Sequence, residues 1–199
     1  MSKVSVSPTV GPWTITTQRI VIAGVLAAIT IILGVVPYLG FIPLPNISGS
    51  ATTEHIPTIL GGVIAGPIVG IFSGLVFGLI SFTRATVPLF KDPTVAILPR
   101  LFIGLTAWGT FAALARFNRN LAAALAGFVG SATNTILVLA MAVWRGYLPV
   151  ALIIPIIPQA VFEAIIAAII TTILASAFFI VQGRLVHAPE KKSRDQLPY

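Results

Sequence analysis

Long apolar tracts alternate with short polar breaks along this chain, and the tracts have the length that crosses a lipid bilayer. A membrane-spanning helix needs about 20 mostly apolar residues rising 1.5 Å each. The tracts that reach this length are Ile20–Leu39, Ile56–Phe82, Val95–Ala115, Leu121–Trp144 and Val150–Val181. The first ends near Pro37, is too long for a signal-peptide core and is not followed by a small-x-small cleavage site, so it reads as a retained helix. The second would reach about 40 Å as one straight helix. Gly66-Pro67 sits in its middle, where a proline breaks or kinks a helix. The last is overlong for one span. Pro155 and Pro158 mark an irregular start to it, and its far end is expected to project into water.

The basic residues decide whether Ile56–Phe82 crosses once or twice. With two crossings, Lys3, Arg19, Arg116, Arg119, Arg184, Lys191, Lys192 and Arg194 fall on one side, against Arg84, Lys91, Arg100 and Arg145 on the other. A single crossing divides the 12 cations evenly. Cytoplasmic loops carry an excess of Lys and Arg, so the uneven division is the expected one. The fold class that follows is an all-α integral membrane protein, six transmembrane helices in one compact bundle, with N and C termini cytoplasmic and two short helices joined at Gly66-Pro67. Residues 1–199 form a single membrane domain in this reading: a cytoplasmic N-terminal segment at 1–18, the six-helix bundle at 19–183 and a cytoplasmic tail at 184–199.

Composition agrees. Of 199 residues, 57% are hydrophobic and 9% charged, against roughly 25% charged in soluble domains. The mean hydropathy is +1.03. A water-soluble enzyme, a disordered tail and a coiled coil are excluded. The absence of cysteine removes disulfides, thiolate metal sites and cysteine nucleophiles together. The net charge of +7 is ambiguous in a membrane protein, because basic residues there often set orientation and need not bind nucleic acid. There is no G-x-x-x-x-G-K-[ST] phosphate loop, no H-E-x-x-H zinc site and no G-x-S-x-G elbow, and the histidines are His55 and His187. No catalysis, metal or cofactor is expected of this chain.

Small residues mark close helix contacts. Gly62, Gly66, Gly70, Gly74 and Gly78 recur every fourth residue, a spacing that packs the hairpin within its own bundle or docks a partner. Ala23-x-x-x-Ala27 on the first helix leaves the same two readings open.

Polar residues at membrane depth are rare and usually functional. Glu163 lies roughly 18 Å into the last helix and Asn134 roughly 15 Å into the fifth, measured from the same side. Gln159 is one turn from Glu163 on the same face. These three meet if their helices are neighbours. Arg100, Arg84, Lys91 and Trp108 supply cationic and aromatic groups nearby, suited to a ligand carrying a carboxylate or phosphate. Glu163 paired structurally with Arg100, and Asn134 as an interhelical hydrogen-bonding residue, are the plainer alternatives. Glu54-His55 precedes the second helix and is expected to face outside, a lone pair in a loop. The pattern is a polar cavity opening outward above an apolar floor.

The stretch Ala51–Trp108 resembles the substrate-binding S components of energy-coupling factor (ECF) vitamin transporters, particularly the pantothenate-type branch. His55–Pro57, the Ala65–Pro67 corner, Asp92-Pro93 and Leu98–Arg100 carry the match. The resemblance implies a multi-pass protein of the prokaryotic plasma membrane that captures a vitamin from outside. It implies partners too: a transmembrane coupling protein (T component) and two cytosolic ATPases that hydrolyse ATP. The S component is expected to topple in the membrane, Ala23 and Ala27 to face the coupling protein, and the outer parts of helices four to six to form the binding site. Pantothenate is the first guess for the ligand, its carboxylate on Arg100 or Arg84 and its hydroxyl and amide groups on Asn134, Gln159 and Glu163, with Trp108 and His55 nearby. Folate, cobalamin or another vitamin is also open. Ser50, Ala51, Thr52 and Thr53 stand where a flavin-binding member carries a Lys-Val-Asp-Phe type stretch, which argues against riboflavin. A self-sufficient secondary carrier or channel would need a polar route through the inner half, and a membrane assembly factor would use the glycines only for packing.

Overall fold

Glycine and proline punctuation sets the architecture in the computed structural model, which describes residues 11–36, 38–43 and 50–186. Lys3, Pro37, His187, Lys191, Lys192 and Arg194 lie outside the described residues. Helix α1 spans Thr17–Val35, capped where the Thr16 hydroxyl accepts from the Arg19 amide. Helix α2, His55–Leu60, runs on through a π-helical turn at Gly61–Ala65. At Gly66 the backbone takes φ 98°, a conformation that glycine adopts without a Cβ penalty. Pro67 then opens α3, Pro67–Thr83, at a position where its missing N–H costs nothing. The corner expected at Gly66-Pro67 therefore forms, and the tract is two short helices.

The next tract is also divided. Asp92 caps α4, Pro93–Ala96, and the chain bends at Ile97 into α5, Leu98–Leu114. Helix α6 covers Arg119–Trp144. Gly146, at φ 76°, turns the chain into two single 3-10 turns at Val150–Leu152 and Ile154–Ile156. Helix α7, Ile157–Val186, follows with 30 residues, or about 45 Å. The irregular start expected around Pro155 and Pro158 is thus present. Hydropathy gave no hint of the antiparallel pair β1, Phe41–Pro43, and β2, Ser50–Thr52, because three-residue strands are too short to show a period.

With α4 and α5 counted as one bent span, six helices make the bundle among the described residues, α2 and α3 being the short ones. Thr17–Val35, Pro93–Leu114, Arg119–Trp144 and Val150–Gly183 are long and apolar enough to cross a membrane. Ile20, Val21, Val25, Ile29 and Ile32 are exposed on α1, as a lipid-facing surface requires. Helix α2 is buried throughout and touches α1, α3, α5, α6 and α7. The glycine ladder packs inside the bundle: a methyl group on Gly104 of α5 would overlap the Gly70 backbone of α3. Two helix backbones touch there with no side chain between them.

Candidate functional site

At the bundle end that carries the β1–β2 pair, α6 and α7 diverge around a cavity of about 70 Å³. Its deeper part is polar. Glu163 Oε1 accepts a 2.7 Å hydrogen bond from Gln159 Nε2, and the Glu163 carboxylate also accepts from the backbone N–H of Thr52 in β2. Asn134 faces them from α6, 6% exposed, with its Oδ1 buried and without a hydrogen-bond partner. The shallower wall is apolar: Phe90, Val138, Leu139 and Ile156. A smaller void of about 30 Å³ shares that wall and continues toward Ala142 and Leu148.

The shallow end is held by Asp92. Its carboxylate accepts from the Thr94 amide at 2.9 Å and from the Thr94 hydroxyl at 2.5 Å, which caps α4. It also accepts from Arg145 Nε at 2.6 Å and Tyr147 Oη at 3.4 Å, tying the end of α6 to the α3–α4 connection. The Thr94 hydroxyl first, then Arg145, hold the Asp92 carboxyl at about 2, below its ordinary 3.8. Among the described residues this is the one ion pair.

The other residues singled out by sequence stand apart from the cavity lining. Arg100 turns back toward α4, for a local reason. Pro99 has no N–H to give the Val95 carbonyl one turn earlier, and Arg100 Nη1 donates to that carbonyl instead, at 2.6 Å. Arg100 Nη2 reaches Ser81 Oγ at 3.3 Å, and the guanidinium lies over the rings of Phe77 and Phe90. The Arg100–Glu163 ion pair does not form, and Arg100 meets the cavity only through Phe90. Arg84 donates from Nη1 to the Val35 carbonyl at 2.7 Å, closing the end of α1. Trp108 packs edge-on against Trp13, ring centres 5.8 Å apart, toward the opposite end of the bundle. Glu54 and His55 are 0% and 1% exposed, packed in the core rather than in an open loop. A methyl group on Gly34 of α1 would strike the Glu54 carboxylate, so glycine there makes room for it. Phe90, Asp92 and Thr52 complete the site without having been singled out for it. Only Asp92-Pro93-Thr94 carried a legible signal, that of a helix cap.

Ala23 and Ala27 line a different feature. They form the floor of an apolar groove of about 370 Å³ between α1 and α3, bordered by Ile15, Gly24, Val69 and Phe72.

The family model described as "ECF transporter, substrate-specific component" matches residues 18–175. The chain belongs to this family. The S component is 36% identical over 110 residues to the pantothenic acid transporter PanT of Lactococcus lactis subsp. cremoris (strain MG1363). That match covers 44% of this chain and 54% of PanT, so it spans about half the length of the relative. Its fold is similar to a solved structure described as "Structure and mechanism of the S component of a bacterial ECF transporter". The TM-score is 0.54 at 17% identity, over 85% of this chain and 98% of that one. As an S component the chain is a multi-pass protein of the prokaryotic plasma membrane. By that family it is the substrate-specific component of an ECF transporter.

Proposed function

We propose that this S component captures pantothenate in the cavity between α6 and α7, from the outer side of the membrane, with both termini cytoplasmic. The observation that carries the reading is the convergence of Asn134, Gln159 and Glu163 at one depth. Toward the other end lie Ile59, Leu60, Ala126 and Ala167, a packed apolar core. A cavity closed below by such a core suits a protein that reorients with its cargo better than one that conducts solute through itself. The resemblance to PanT supports pantothenate as the vitamin. The groove at Ala23 and Ala27 would receive the coupling protein, close approach being the common use of small residues between helices in lipid. ATP hydrolysis would belong to the two cytosolic ATPases of the assembled transporter.

The test is calorimetric binding of pantothenate to the purified chain in detergent. Glu163→Gln removes a charge-assisted acceptor, a change of about 1.5–3 kcal/mol, or roughly 10- to 150-fold in affinity. Wild-type protein that binds another vitamin and ignores pantothenate refutes the substrate. An unchanged affinity in Glu163→Gln refutes the site.

A further inference from the structure

The cavity has a chemical polarity along its length. At its deep end the side chains offer acceptors: the Glu163 carboxylate, with acceptor capacity beyond its two donors, and the buried Asn134 Oδ1. Glu163 is the only ionisable side chain among the lining residues, and none of them is cationic. A ligand carboxylate placed there would face a carboxylate with no cation between them. Moving up the walls, the surface becomes apolar at Phe90, Val138 and Ile156 and continues past Ala142 to Leu148. Arg145 stands just beyond, capping α6, with its side chain 45% exposed and Nε committed to Asp92. From Asn134 to the Arg145 backbone along α6 is about 16 Å, less the reach of the arginine side chain. That distance suits a small molecule with polar donors at one end and an anionic group at the other.

We infer that the ligand binds with its hydroxyl and amide donors on Glu163 and Asn134 and its carboxylate at the Arg145 end. This rests on the α6–α7 cavity being the pantothenate site. Arg145 is then a specificity-determining residue, its guanidinium offering donors besides Nε to a second carboxylate. The apolar walls hold the aliphatic middle of the ligand.

Two probes that differ only at the carboxylate decide the matter: pantothenate and panthenol, in which a primary alcohol replaces it. Equilibrium binding of both is measured on the purified full chain and on R145Q, R145K and E163Q. The wild type is expected to prefer pantothenate by about 10-fold. R145Q is expected to lose that preference chiefly through pantothenate, residual panthenol binding showing that the variant is folded, and R145K to keep the preference. E163Q is expected to weaken both ligands in parallel. A preference unchanged in R145Q, or a loss in E163Q confined to one ligand, overturns the orientation. Equal loss of both ligands in R145Q and R145K makes Arg145 a structural tie and overturns its role. Wild-type protein that binds neither ligand removes the pantothenate reading itself, an outcome distinct from the others.

Discussion

Arg100→Met tests whether a proline and an arginine act as one unit at the α4–α5 bend. Methionine keeps much of the side-chain volume between the Phe77 and Phe90 rings but removes every donor. The Val95 carbonyl, which Pro99 cannot serve, then loses its 2.6 Å hydrogen bond. A buried acceptor left alone costs about 1–3 kcal/mol. The lost contacts over the two rings add about 0.5–2 kcal/mol each. The expected total is about 2–7 kcal/mol, a fall in unfolding temperature on the order of 10 °C by scanning fluorimetry in detergent. The discriminating variant is Pro99→Ala in the Arg100→Met background. It supplies an amide N–H one turn after Val95, and it is expected to return about 1–2 kcal/mol of the loss. A double variant no more stable than Arg100→Met alone would refute the account of why the arginine turns away from the cavity.

Three further outcomes follow from contacts described above. Asp92 has a folded-state pKa below its ordinary value, so its contribution is complete above about pH 5 and is lost as pH falls through about 2; Asp92→Asn is expected to flatten the thermal stability profile between pH 5 and 2, and an unchanged slope would count against the capping geometry. Gly104→Ala puts a methyl group against the Gly70 backbone and is expected to cost about 1–3 kcal/mol in detergent unfolding, with Gly104→Leu yielding no monodisperse protein by size exclusion. Ala27→Trp fills the groove beside Val69 and Phe72, and is expected to abolish co-purification with co-expressed coupling protein and ATPases while pantothenate binding persists; intact assembly would remove the docking assignment.

The helices were legible because lipid imposes a simple length rule, and Gly66-Pro67 was legible because glycine and proline act locally. The Asn134–Gln159–Glu163 meeting was legible for a related reason: two of the three share one helix face, and depth along straight helices can be counted. The direction of Arg100 depends on a carbonyl freed by its neighbour, a contact that residue type alone does not reveal. Glu54 and His55 looked like loop residues because polarity suggests exposure. The burial of Glu54 depends on Gly34, twenty positions earlier, leaving a space the size of a side chain. Trp108 faces Trp13 because it sits ten residues into α5, about 15 Å from Leu98, which carries its aromatic toward the far end of the bundle.

Where Gly70 meets Gly104, main chain rests on main chain, and no side-chain torsion can absorb a sliding movement. That junction rivets α3 to α5, with α2 enclosed beside it, into a stiff keel. On the proposed function, what yields when cargo arrives would be hung from the keel rather than part of it: the short ribbon at Thr52, the link bearing Phe90 and the bent lead-in to α7. On the same proposal, an adapting rim on an unyielding hull would let one piece grip its cargo without disturbing the α1 and α3 faces on its flank.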